Sequence, residues 1–340
     1  MTQSIVILAL SGSANTSVAT PLDMLFACNR IASGFGNSSA PPFLVQTMAE
    51  NGCVKSNSGS DIQANLCLGS ISADTILIVA APLLSNSKEI DRFLKQNKTA
   101  IEWLGRHGAG AKLAASHCAG VFALAEAGLL HKGSCTTAWY LADEFRNRYP
   151  AIELNERSML QCDRKVLTAG AGSANQTLCL EIVAQTIGRH YARLLAKYFL
   201  LDSHRDMQSP YAILTSKRSK DRVVANAERW IHQHLADDFC IQDIADHVGV
   251  SNRTLIRRFR NDIGISPQAL TQGMRIEKSK ILLEASELSV QDIVTRVGYS
   301  DESAFRRLFA RQVGLTPNEY RRRFSHAAST TLLADNLQTA

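Results

Sequence analysis

The chain has 340 residues, 45% hydrophobic and 20% charged, which is ordinary for a soluble globular protein and enough for two domains with cores of their own; no apolar run is long enough to span a bilayer. Eight cysteines lie scattered without a CxxC pair, so reduced thiols fit better than a disulfide framework or a zinc site. The net charge of +6 is uneven: residues 1–187 hold 14 basic and 14 acidic side chains, 188–221 hold 7 and 3, and 222–325 hold 16 and 13, so the positive excess lies in the C-terminal half, where a phosphate backbone would attract it.

Residues 4–10 predict a buried first strand; with no basic residue ahead of it, the segment lacks the make-up of a signal peptide. A polar loop leads to a helix over 21–31 and a strand over 43–48. Asp74-Thr75-Ile76-Leu77-Ile78-Val79-Ala80 is the clearest buried strand. A helical region over 87–106, a strand over 111–116 and a helix over 120–127 stopped by Gly128 come next. Beyond them 141–148 is helical and 157–168 hairpin-like, and Ala169-Gly170-Ala171-Gly172-Ser173 opens a helix through Ile187. Strands alternating with helices predict a parallel sheet covered on both faces, with ligands at the carboxyl ends of the strands.

Cys118 falls where one strand turns into a helix, within Ala115-Ser116-His117-Cys118-Ala119-Gly120-Val121-Phe122. Such an elbow presents its residue at the top of the sheet, and a helix N-terminus lowers a thiol pKa, so chemistry at Cys118 is open. The plain alternative is a buried small hydrophobe. Residues 191–201 continue an amphipathic pattern, and the polar stretch around Pro210, with 215–220, has the composition of a connector. His232 and His234 point to different sides of a helix and with Cys240 predict no metal site. The tail from residue 326 onward is expected to fray.

The C-terminal half repeats itself. Asp243-Ile244-Ala245 and Val248-Gly249 match Asp292-Ile293-Val294 and Val297-Gly298 at a shift of 49. Arg253, Leu255, Phe259, Gly264 and Pro267 match Ser303, Phe305, Phe309, Gly314 and Pro317 at a shift of 50, one residue having been gained inside the turn. Each copy predicts a supporting helix, a Gly-containing turn and an amphipathic second helix with a cationic outer stripe. The supporting helix of the first copy is 241–248 and its reading helix 251–261, capped by Ser251. Between the copies, 267–284 predicts one helix with Leu270, Met274, Ile281 and Leu282 turned inward.

From about Val223 to Phe324 these residues resemble the AraC/XylS family of bacterial transcription regulators, whose DNA-binding domain is two helix-turn-helix units on a central helix. Residues 4–190 resemble the amidotransferase-like or PfpI-type fold, through the elbow cysteine, Ala-Glu-Ala-Gly-Leu-Leu at 125–130 and Thr136-Thr137-Ala138-Trp139. That pairing is the layout of the GlxA-like subgroup. The resemblance implies an α/β flavodoxin-like parallel-sheet sandwich of the class I glutamine amidotransferase-like type, followed by an all-α domain with two helix-turn-helix motifs. The expected organisation is a ligand-sensing domain at 1–190, a connector at 191–221, a DNA-binding domain at 222–325 and the tail at 326–340.

By the same resemblance Arg253, Ile256 and Arg257 match base-contacting positions, as do Glu302, Ser303 and Arg307 in the second copy. Asn252, Arg260, Arg306 and Arg311 are the better candidates for phosphate. Enzymes of the PfpI type use the elbow cysteine with a histidine just after it, an acid from the first helix and a Gly-rich anion hole. Here Ala119 follows Cys118, Asp23 fills the acid position, and Ala81-Pro82-Leu83 stands where a glycine pair is expected, Pro82 having no N–H to donate. The expectation is therefore no catalytic residue and no cofactor, with Asp23, Cys118 and Ala119 lining a pocket for a small-molecule effector. A Cys118-dependent hydrolase or amidotransferase-like enzyme and a Cys118 redox sensor are the alternatives. The implied partners are double-stranded promoter DNA, RNA polymerase and a second copy of the chain through the sheet domain. The expectation is a cytoplasmic setting, no membrane partner and activation of transcription, although no residue fixes the sign of regulation.

Overall fold

The computed structural model describes residues 2–35, 40–202, 206–213 and 219–325. The chain divides into two compact units, Met1–Ser209 and Pro210–Ala340. The expected tail at 326–340 lies outside the described residues, as do 203–205 and 214–218 of the expected connector.

The first unit is organised by strands buried on both faces. In chain order it runs β1 (Gln3–Leu8), α1 (Asn15–Phe35), β2 (Phe43–Ala49), β3 (Cys53–Lys55), β4 (Asp61–Gln63), β5 (Leu66–Cys67), β6 (Ile76–Val79), α2 (Ser87–Gln96), α3 (Lys98–Gly108), β7 (Leu113–His117), α4 (Val121–Glu126), β8 (Ser134–Cys135), α5 (Ala142–Arg148), β9 (Glu153–Leu154), β10 (Leu160–Asp163), β11 (Val166–Ala169), α6 (Ala174–Ile187) and α7 (Arg189–Tyr198). The main sheet has the order β10-β11-β7-β6-β1-β2-β5, parallel except for the β10–β11 hairpin. Alternation sends Val6, Leu8, Leu77, Val79 and Ala114 to a layer with residues of α2 to α5, and Ile5, Ile7, Ile76, Ile78 and Ala115 to a layer with α1 and α6.

Several expectations shift for reasons that lie far away in sequence. α1 starts at Asn15 rather than 21 and carries Pro21 in its interior, where the missing N–H leaves the Ser17 carbonyl without its helical donor. The helical region 87–106 is two helices broken at buried Asn97. The Asn97 side chain accepts from Ser11 N at 2.7 Å and donates to Ser11 O at 3.0 Å and Phe93 O at 2.9 Å, tying the break to the loop after β1. The expected connector is partly built structure: α7 packs Leu195 and Ala196 inside the first unit, and Met159 N donates to Asp206 O at 3.0 Å.

The second unit runs α8 (Arg222–Gln233), α9 (Ile241–His247), α10 (Asn252–Ile263), α11 (Pro267–Ala285), α12 (Val290–Arg296), α13 (Glu302–Val313) and α14 (Pro317–Phe324). Its local chemistry repeats as the sequence does. Ser251 Oγ accepts from Thr254 N and Asp301 Oδ1 from Ala304 N; α10 and α13 stop at the left-handed glycines 264 and 314; Pro267 and Pro317 open the helices that follow. Leu255 and Phe259 with Leu270 fill one small core; Phe305 and Phe309 with Ile276 and Leu283 fill the other. α11 thus serves two cores in succession, and its buried stripe rotates between them. That corrects the assignment of Ile281, which is 63% exposed; Leu283 takes the inward place.

Candidate functional site

In the helical unit the outward face is cationic. Arg253, Arg257 and Arg260 of α10 and Arg307 and Arg311 of α13 are exposed and unpaired among the described residues, and Ser303 is exposed beside them. Ile256 is half-buried. Two of the expected phosphate contacts are engaged within the unit: Asn252 Nδ2 donates to Gln242 Oε1 at 2.7 Å, and Arg306 pairs with Glu302 at 2.6 Å. Arg258, between the outward arginines, is tied to Asp221 through both carboxylate oxygens at 3.0 and 2.9 Å, bracing α10 against the start of α8.

What joins the two copies is Arg275, midway along α11, a residue with no periodic signal to mark it. Its guanidinium lies 5.3 Å from the ring centre of Phe239 and 5.1 Å from that of Tyr299, and it donates to Leu235 O at 3.1 Å and Asp237 O at 2.8 Å. One cation therefore bolts the segment after α8 to the turn of the second copy. The turn comes so close that a Cβ on Gly298 would lie 2.7 Å from Leu235 O, and its φ of +82° also demands glycine. Tyr299, which stacks there, stands inside the turn that is longer by one residue.

In the sheet unit Cys118 sits on the elbow between β7 and α4 with φ of +50°, a strained value for a side chain other than glycine. Cβ space is also missing at Gly120, where it would fall 2.3 Å from Ser116 Oγ. The elbow is held by Cys118 N donating to Gly170 O at 2.9 Å and by Thr137 Oγ1 donating to Cys118 O at 2.6 Å. The thiol is 2% exposed and lies 3.3 Å from the Tyr140 hydroxyl, whose pKa burial and the thiol push upward. Ala119 is fully buried. Strand alternation turns the His117 ring to the opposite face; it is buried, its Nδ1 has no partner, and burial pushes its pKa down to about 4, so it stays neutral. Gln208, also buried, wraps the same loops: Nε2 donates to Thr137 O at 2.7 Å, and Oε1 accepts from Ala171 N at 3.2 Å.

Asp23 does not join this cluster. It is exposed in α1 beside exposed Phe26 and Arg30, while Pro21, Met24, Leu25 and Cys28 are buried. The residue just ahead of α1 approaches the elbow through Ala81: Ala14 N donates to Ala81 O at 2.8 Å, and Ala81 Cα would lie 3.1 Å from a Cβ on Gly120. The expected pocket thus loses its acid. A separate cleft of about 640 Å³ opens between α6, α7 and the start of β10, lined by Thr177, Glu181, Arg189 and Arg193 among others. Among the described residues no cluster of metal-ligating side chains is present, and no helix is long and apolar enough to cross a membrane.

Residues 4–185 match the model of the DJ-1/PfpI family, which covers more than half of the chain. The chain belongs to the DJ-1/PfpI family. Residues 244–323 match a helix-turn-helix domain model, of AraC type. The HTH-type transcriptional regulator CdhR of Pseudomonas aeruginosa is 24% identical over 282 residues, 80% of this chain and 80% of its own length. GbdR, an HTH-type transcriptional regulator of the same species, is 23% identical over 60% of this chain and 56% of its own. Among solved structures, an AraC family transcriptional regulator from Pseudomonas putida is 19% identical with a TM-score of 0.43, covering 58% of this chain and 98% of that one. The family member therefore couples a flavodoxin-like sheet unit to a helix-turn-helix unit, the layout of DNA-binding transcription regulators.

Proposed function

We propose that this DJ-1/PfpI family member is a sequence-specific transcription activator that senses a small molecule in its sheet unit and turns nothing over. The observation that carries the reading is the pair of exposed cationic helices, α10 and α13, capped alike and stopped alike, each over a small core that shares residues of α11. Recognition helices of this kind enter successive major grooves roughly 34 Å apart, and arginine holds guanine O6 and N7 with two hydrogen bonds. The sheet unit supports sensing over catalysis. Its elbow thiol faces a tyrosine hydroxyl, its neighbouring histidine is turned away by strand alternation, and Asp23 is exposed, so no base is in place to activate a nucleophile. The working form is a homodimer in the cytoplasm, paired through the sheet unit, acting with RNA polymerase. Effector binding would shift the placement of the readers through differential affinity for two states.

The test is a competition assay on a promoter duplex with Arg257→Ala and Arg307→Ala. Each substitution should lower specific over non-specific binding by roughly tenfold, from the ~1 to 3 kcal/mol of one bidentate contact. Unchanged sequence preference in both variants would remove the reader assignment.

A further inference from the structure

The two reading helices carry different chemistry at equivalent positions. At the shift of 50, Asn252 and Ile256 of α10 correspond to Glu302 and Arg306 of α13. In the first copy the Asn252 amide is turned back onto Gln242 of the supporting helix. In the second, Glu302 occupies the first helical position after the Asp301 cap, at the end that meets base edges when such a helix enters a groove. Arg306, one turn further on, lays Nε at 2.7 Å and Nη2 at 2.6 Å on a single carboxylate oxygen, Oε1. Oε2 has no partner among the described residues. One oxygen is held and the other is left as an acceptor of fixed direction.

The chemistry of the groove selects what that acceptor can meet. Guanine presents only acceptors, N7 and O6, which repel a carboxylate. Adenine offers N6–H₂ beside a repelling N7, whereas cytosine offers N4–H₂ alone, the usual partner of Glu. Resting on the DNA-reading function above, we propose that Glu302 reads a cytosine amino group and that Arg306 is its positioning residue rather than a phosphate contact. The Glu302–Arg306 pair is electrically neutral, so it releases no counterion; the counterion release of α13 belongs to exposed Arg307 and Arg311.

The experiment selects binding duplexes from a random library with the full chain, its Glu302→Gln variant and its Arg306→Met variant, and measures the salt dependence of affinity for the winning duplex. The wild type should return two blocks of conserved bases about one helical turn apart, with cytosine fixed at one position of the block read by α13. Glu302→Gln should move that position alone from cytosine toward adenine, which glutamine holds through N6 and N7, with a roughly tenfold change in relative affinity. Arg306→Met should blur the same position, and the double variant Glu302→Gln/Arg306→Met, which replaces one neutral pair by another, should leave the slope of log affinity against log salt unchanged, while Arg307→Met lowers that slope by about one.

An unaltered motif in Glu302→Gln would overturn the reading of cytosine. A slope reduced by about one in Glu302→Gln/Arg306→Met would restore Arg306 to a phosphate contact and overturn its positioning role. No motif at all from the wild type would instead remove the DNA-reading function on which the proposal rests.

Discussion

The sheet unit buries its chemically distinctive groups, Cys118 at 2% and His117 at 5% exposure, whereas the helical unit leaves Arg253, Arg257, Arg307 and Arg311 in solvent. Exposed charge costs nothing to keep ionised and is ready for a polyanion; a buried thiol behind a tyrosine is ready for little until something displaces its cover. The contrast separates two tasks. One unit presents a cationic surface that is already formed, and the other holds an elbow whose loops, at Thr137 and Ala171, are tied to Gln208 close to the end of that unit.

The bluntest way to break the contrast is to remove the scaffold beneath the exposed face. Phe309 is fully buried between Phe305 and Tyr320, so Phe309→Ala should cost about 3 to 5 kcal/mol in urea unfolding and abolish DNA binding although no arginine has changed. Retained affinity would mean that α13 needs no core to present its arginines.

Acid acts on the opposite unit. The pKa of His117 is pushed down to about 4 by burial, against 6.5 ordinarily. Between those values the unfolded chain binds a proton that the folded chain refuses. Stability is therefore complete above about pH 6.5 and falls as pH drops toward 4, by roughly 3 kcal/mol in all. Urea midpoints of His117→Asn should show a shallower acid slope than wild type; identical slopes would place the acid sensitivity elsewhere.

Arg275→Met sharpens the account of how the readers are held. It removes two charged hydrogen bonds and two ring contacts, so roughly 2 kcal/mol of stability should go, with broadened tolerance for the spacing between the two DNA blocks. Unchanged spacing preference would assign the geometry to the apolar cores alone. The smallest expected effect is that of Cys118→Ala: effector-free DNA affinity should stay within about twofold, since the thiol has Tyr140 of its own unit as its hydrogen-bond partner. A large loss would tie the elbow to the DNA-bound state directly.

Legibility in the sequence followed the range of the interactions. The helical repeat was plain because caps, stops and apolar stripes are local: Ser251, Gly264, Pro267 and Phe259 each act within a turn or two of themselves. The central strands were plain because β1 and β6 are apolar on both faces. Features set by partners far along the chain were not. Asn97 breaks a helix because Ser11 needs its amide; Ile281 faces out because α11 serves two cores; and Arg275 and Gln208 carry no pattern that would single them out. The candidate interface was therefore visible as a cationic stripe, while its internal pairing, Glu302 to Arg306, and the outward placement of Asp23 needed coordinates.

The most direct test of simultaneous reading by α10 and α13 is an insertion of five base pairs between the two selected DNA blocks. Half a helical turn carries the second block to the far side of the duplex. Affinity should drop to that of a duplex holding one block, and ten inserted base pairs should leave it there, because the two helices share one rigid support. Affinity indifferent to the five-pair insertion would contradict the account.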